Sequence, residues 1–204
     1  MKKVIGKNIH LLIFSLIFLA LFFITFALIK NGFFQEIDDL INSYFSTPSS
    51  PLLTRISLIL TFLFDPLSVI IISLIIFILL FFGKFKRDSL FFLAASLLGG
   101  ILILFFKEIF QRIRPENLYE SGFGFPSGHA TVSIVLFCSL IYFSFENIKN
   151  DYKYLISGIS IGLILMIMFS RFYLGVHWFS DMLGGIFLGT FVFLFIFFLF
   201  RRGE

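Results

Sequence analysis

Two histidines, an aspartate and three cations hold most of the chemistry open to this chain. They fall into three groups: Lys107 with Arg114-Pro115, then Pro126-Ser127-Gly128-His129, then Ser170-Arg171 with His177 and Asp181. Each group stands at the end of an apolar stretch, where an ionisable side chain is costly enough to require a functional reason. Lys107, Arg114 and Arg171 supply positive charge, and arginine's planar fork matches phosphate oxygens. Ser127 and Gly128 stand at a helix start, where free N–H groups and the helix dipole favour an anion. His177 and His129 provide a nucleophile and an acid. Asp181 follows His177 at a spacing that puts both on one helical face, and it can hold an imidazole in one tautomer.

A metal centre fits these residues poorly. Zinc takes three or four His, Cys or carboxylate ligands, and a dication among Lys107, Arg114 and Arg171 would be repelled. The cations themselves can neutralise developing negative charge, so no metal and no cofactor is expected. Taken singly, each residue has a plainer reading. Lys107 could snorkel to the interface, Arg171 could anchor a span, Ser127-Gly128 could merely start a helix, and Pro115 and Pro126 could punctuate spans. His10 has no partners and reads as an interfacial residue. Jointly the plain readings fail, because the groups recur in order on the face with few other cations.

The elements that position these groups are membrane spans. Of the 204 residues 59% are hydrophobic and 14% are charged, against roughly a quarter charged in a soluble domain; mean hydropathy is +1.04. Apolar runs are expected near Ile9–Ile29, Pro66–Phe82, Ser89–Phe110, Gly128–Phe145, Tyr154–Arg171 and Asp181–Phe200, each about the length that crosses a bilayer. The first is too long for a signal peptide and lacks a small-residue cleavage site, so it reads as a retained span. Leu52–Phe64 is too short to cross and ends at Asp65-Pro66. It is either an interfacial or re-entrant helix or the first half of a kinked span. Phe33, Phe34, Ile37, Leu40, Ile41, Tyr44 and Phe45 alternate with Gln35, Glu36, Asp38, Asp39 and Asn42 at helical spacing, which suggests a short amphipathic helix lying flat at the interface.

Six crossings put both termini on one side. Lys2, Lys3, Lys7, Lys84, Lys86, Arg87, Lys149, Lys153, Arg201 and Arg202 all fall there, which marks that side as cytoplasmic. The three reactive groups then share the opposite boundary, of a plasma (inner) membrane. No basic run interleaved with aromatics occurs, so a nucleic-acid partner is not expected. No obligatory protein partner is evident, although Gly99, Gly100, Gly184, Gly185 and Gly189 permit close helix packing. The single Cys138, inside an apolar run, reads as a packing residue. Trp178 reads as an interfacial belt residue, Tyr173 as packing or substrate contact, and Glu116 and Glu120 as members of a solvated loop.

Lys107-x6-Arg114-Pro115, Pro126-Ser127-Gly128-His129 and Ser170-Arg171-x5-His177-x3-Asp181 resemble the three-part signature of the type 2 phosphatidic acid phosphatase family, the lipid phosphate phosphatases, without a departure at any motif position. The resemblance covers about residues 52–200 of a single membrane domain, 1–204. It implies a six-helix membrane bundle and metal-independent phosphate hydrolysis. On that reading His177 attacks phosphorus and becomes a phosphohistidine, His129 protonates the leaving oxygen, and Asp181 orients His177. Lys107, Arg114, Ser127, Gly128 and Arg171 hold the phosphoryl oxygens. A neutral His177 and a protonated His129 imply a bell-shaped pH profile. The expected substrate is undecaprenyl pyrophosphate; phosphatidylglycerophosphate, phosphatidate or lipid A phosphate are alternatives, as is transfer of phosphate to another lipid. A transporter or lipid-binding protein without catalysis is the alternative of another class. It would be marked by paired broken spans or a mid-membrane relay.

Overall fold

A computed structural model describes residues 8–45, 50–117 and 119–201 of the chain. Lys2, Lys3, Lys7 and Arg202, used above to assign the sides, lie outside the described residues. The described part is all-helical apart from one isolated bridge, between Ile113 and Phe123. The helices are α1 (Ile9–Lys30), α2 (Gln35–Phe45), α3 (Pro51–Leu63), α4 (Pro66–Phe82), α5 (Lys86–Phe110), α6 (Gly128–Asn147), α7 (Tyr152–Tyr173) and α8 (Phe179–Arg201).

Among the described residues five helices, α1 and α5 to α8, are long and apolar enough to cross a bilayer, or up to six if the bent pair α3–α4 is one span. α3 and α4 meet at 58°. Pro66 cannot continue the hydrogen-bond ladder of α3 and its ring crowds the preceding turn, while Asp65 caps α4 by accepting from the Leu67 N–H at 3.0 Å. Residues 52–64 are therefore a separate helix joined to α4 by a sharp break. Large outward-facing residues such as Leu79, Phe82 and Leu104 are exposed, as a lipid-facing surface requires.

α8 packs on α1, α5 and α6, with α4 against α5, α7 against α6, and α3 against α7. Glycines let α6 and α8 approach backbone to backbone. A Cβ on Gly185 would lie 2.7 Å from the Ser127 carbonyl oxygen, and one on Gly189 2.7 Å from that of Thr131. The Thr131 hydroxyl donates to the Gly185 carbonyl at 3.2 Å, and the Ser127 N–H donates to the Asp181 carbonyl at 3.1 Å. This contact holds the first turns of α6 and α8 side by side.

The two ends of the bundle differ. At one, the Asn8 amide donates to the Arg201 carbonyl at 3.0 Å, Arg201 pairs with Glu146 at 2.8 Å, and Arg87 donates to the Phe200 carbonyl at 2.5 Å. The first and last described residues thus sit together, and the reactive groups gather at the other end. α2 is amphipathic as expected, but not with all its polar residues in solvent. Phe33, Ile37, Leu40 and Tyr44 form an exposed apolar stripe, whereas Asp38 is buried, 3% exposed, against the start of α8. A buried carboxylate requires partners, and Arg112 and Ser180 supply them.

Candidate active site

The site forms where the starts of α6 and α8 meet the ends of α3, α5 and α7. α7 stops at Gly175, whose φ of +62° suits glycine and turns the chain back. His177 lies in this turn, ahead of α8, and not within a helix as its spacing from Asp181 suggested. Its Nδ1–H still donates to Asp181 Oδ2, at 3.3 Å, and the Trp178 N–H donates to the same oxygen at 3.1 Å. With the proton on Nδ1, the lone pair of Nε2 is left to face Arg114, whose Nη1 is 3.0 Å away and also donates to the Val176 carbonyl at 2.8 Å. Burial, then the nearby charges of Arg114, Arg171, Lys107 and His129, hold the His177 imidazolium well below its ordinary value. His177 is thereby kept neutral, with Nε2 unprotonated.

His129, in the first turn of α6, donates from Nε2 to the Thr61 carbonyl at 3.1 Å. Thr61 belongs to α3, so the helix ahead of the break reaches the site. Arg171 is completely buried and bonds to the Thr61 hydroxyl and to Glu120. Glu120 also pairs with Arg114 at 2.7 Å. One carboxylate therefore bridges the two arginines. The Nε–H groups of Arg114 and Arg171 are nevertheless buried without a partner among the described residues. An unsatisfied buried donor costs about 1–3 kcal/mol, so two beside one cavity mark a place for an anion.

That cavity, of about 300 Å³, has Lys107, Arg114, His129 and His177 at one end and Leu67, Ile70 and Leu104 along its apolar wall between α4 and α5. Gly128 also lines it. Ser127 does not: it is enclosed, and its hydroxyl caps α6 by accepting from the Ala130 N–H at 3.4 Å. The tight α6–α8 contact draws its side chain inward, where it caps the helix. Arg171 and Asp181 stand directly behind the residues that face the cavity. Tyr173 packs inward, its hydroxyl bonded to the backbone of Ser50. Trp178 donates from Nε1 to the Ile113 carbonyl at 2.9 Å.

Glu120 is the principal correction: expected in a solvated loop, it lies among the arginines. Arg112, Asp38 and Thr61 were also missed. Arg112 donates to Asp181 Oδ1 at 2.6 Å and to Asp38 at 2.7 Å. Charge balance was an available signal, since Lys107, Arg114 and Arg171 crowd together and a dry site needs a nearby anion besides Asp181. Glu116, by contrast, is exposed as expected.

The loop from α5 to α6 closes the site from above. The Gly124 N–H donates to the Arg112 carbonyl at 2.7 Å, and a Cβ on Gly124 would fall 2.7 Å from Asp181 Oδ2. Gly124→Ala must therefore push the carboxylate that holds His177. It is expected to lower kcat by about 100-fold, the usual consequence of a misplacement near 1 Å, with little change in thermal stability in detergent.

Residues 88–203 match the PAP2 superfamily. The chain is 31% identical over 125 residues to phosphatidylglycerophosphatase B of Bacillus subtilis, covering 57% of this chain and 60% of that protein. It is 31% identical over 144 residues to lipid A 4'-phosphatase of Porphyromonas gingivalis, covering 60% and 57%. The matches thus span less than two thirds of either relative's length. The fold is similar to that of a transmembrane PAP2 type phosphatidylglycerolphosphate phosphatase from Bacillus subtilis, with a TM-score of 0.79, 26% identity, and coverage of 89% of this chain and 93% of that one. The match extends over more than half of the sequence and takes in His129, Arg171, His177 and Asp181: this chain belongs to the PAP2 superfamily.

Proposed function

We propose that the protein hydrolyses the phosphate of a membrane lipid through a phosphohistidine at His177. The observation that carries this is the placement of His177, held through Nδ1 by Asp181 and lining a cavity rimmed by Lys107 and Arg114 and backed by Arg171. The Nε2 lone pair attacks phosphorus, a N–P bond forms and the bond to the lipid oxygen breaks. His129 gives its proton to the departing oxygen, which leaves as a lipid alcohol, or as a lipid monophosphate if the substrate is a pyrophosphate. Water then attacks phosphorus, His129 takes its proton, the N–P bond breaks and inorganic phosphate leaves. Asp181 stabilises the charge on His177 between the two steps. The backbone of Gly128 and the guanidinium Nε–H groups receive the phosphoryl oxygens.

The apolar wall of the cavity supports a lipid substrate, whose chain lies between α4 and α5. The names of the similar proteins favour a phosphomonoester such as phosphatidylglycerophosphate over undecaprenyl pyrophosphate, which uses the same phosphate pocket. We further propose six crossings, with α3–α4 as one broken span. Both chain ends are then cytoplasmic and the site opens on the extracytoplasmic side. The meeting of Asn8 with Arg201, beside the cationic end of α5, supports that arrangement.

The test is phosphate release by purified protein in excess chelator from phosphatidylglycerophosphate, undecaprenyl pyrophosphate, phosphatidate and lipid A. Release that persists is expected, most of it from phosphatidylglycerophosphate. Chelator-sensitive release would overturn the metal-free mechanism. The acid limb of the profile has a definite sign. A lowered His177 value keeps the base form as pH falls, so activity is lost only well below pH 6.5, the ordinary histidine value.

A further inference from the structure

The carboxylate of Asp181 is buried and has two distinct oxygens. Oδ2 receives His177 Nδ1–H and the Trp178 N–H. Oδ1 has one partner among the described residues, Arg112, at 2.6 Å. Arg112 is held in turn by Asp38 of α2, at 2.7 Å, and by the Ser180 hydroxyl, at 2.7 Å. Asp38 also accepts from the Ser180 N–H at 2.9 Å and the Ser180 hydroxyl at 2.6 Å. A carboxylate from the surface helix thus caps the free start of α8 and fixes the cation on Asp181.

We propose that Arg112, clamped by Asp38, is a positioning residue for the reaction, fixing the plane of Asp181 so that Oδ2 stays on His177 Nδ1. The inference rests on the phosphohistidine reading but adds residues outside the motifs. Arg112 acts from behind the nucleophile. It does not line the phosphate cavity, and Asp181 stands between it and His177. With Arg112 gone, Oδ1 is left without a partner and the carboxylate is free to turn about its Cβ–Cγ bond. His177 then loses the acceptor that keeps its proton on Nδ1, and Nε2 is no longer reliably the nucleophilic nitrogen. Substrate binding is untouched, because the groups that receive phosphate remain. The function of α2 follows. Its exposed stripe of Phe33, Ile37, Leu40 and Tyr44 keeps it at the membrane surface, while its single buried carboxylate reaches the catalytic aspartate through one guanidinium.

A bridge that only held the fold together would affect stability and binding alike, so the test separates kcat from KM. The unsubstituted protein is compared with R112A, R112K, D38N, the D38N/R112A double variant and H177A, in mixed micelles of phosphatidylglycerophosphate or undecaprenyl pyrophosphate, with inorganic phosphate as competitive inhibitor. R112A is expected to lower kcat about 10- to 100-fold, as loss of a supporting partner of a reactive group does. KM and inhibition by phosphate should stay within about 3-fold, and R112K should recover part of kcat through its single donor. The double variant should be no slower than R112A, because the two residues act as a unit. An R112A kcat within about 2-fold of wild type, beside an inactive H177A, overturns the proposal and leaves the phosphohistidine reading standing. So does a parallel weakening of kcat, KM and phosphate inhibition. An H177A protein as active as wild type overturns that reading, and this proposal with it.

Discussion

Replacing His177 with alanine is expected to lower kcat by about 10⁴- to 10⁶-fold, the range seen when a covalent nucleophile is removed. Asp181 cannot stand in, because Arg112 holds Oδ1, the Trp178 N–H holds Oδ2, and the carboxylate lies behind the cavity. His129 cannot either, since its Nε2 is turned to the Thr61 carbonyl at 3.1 Å. Phosphate binding should persist, because Lys107, Arg114 and Arg171 are intact, so kcat falls and the inhibition constant for inorganic phosphate barely moves. Steady-state turnover of detergent-purified protein measures the first, and competition by phosphate the second. A loss of less than about 100-fold would mean that water attacks directly and no phosphohistidine lies on the path. Trapping with labelled substrate in alkali should give a covalent adduct on the wild type and none on the variant.

Arg171→Ala is expected to lower kcat/KM by about 10³-fold, near the effect of deleting a preorganised charge-stabilising donor. The side chain is fully enclosed and joins Glu120 to Thr61, so its loss has two consequences. The phosphoryl group loses the Nε–H that has no partner among the described residues. Glu120, no longer shared, is held by Arg114 alone and competes with the incoming phosphate for it. KM should therefore rise along with the fall in kcat, unlike His177→Ala. Arg171→Lys should recover little, because one ammonium cannot serve Glu120, Thr61 and a phosphate oxygen from a planar fork. Full activity of the lysine variant would show that Arg171 contributes charge alone.

The apolar helices were legible in the sequence because each is a long apolar run with cations at or near one end. The ends of α1, α4 and α5 fall within a few residues of where those cues put them. Lys107, Arg114, His129, Arg171, His177 and Asp181 were legible for the same reason, since a polar residue at the end of such a run is conspicuous. Glu120, Arg112 and Asp38 were not. Each lies in a loop or on an amphipathic helix, where charges are ordinary, and only the fold reveals that they face inward. Ser127 is the converse case. Its position at a helix start was plain, but its enclosure depends on Gly185 admitting α6 against α8, a contact between segments far apart in sequence. The α3–α4 break was visible as Asp65-Pro66, yet that Thr61 would reach His129 was not.

The cavity opens between Leu67 and Leu104, both well exposed on the outward surfaces of α4 and α5. On the proposed function, a lipid approaching that opening never leaves its own two-dimensional solvent. For this molecule concentration accordingly means mole fraction in the surrounding hydrocarbon, not moles per litre. Adding inert detergent at fixed total substrate dilutes the reactant as surely as adding water dilutes a sugar. The protein's saturation is set by the crowd of lipids at its flank.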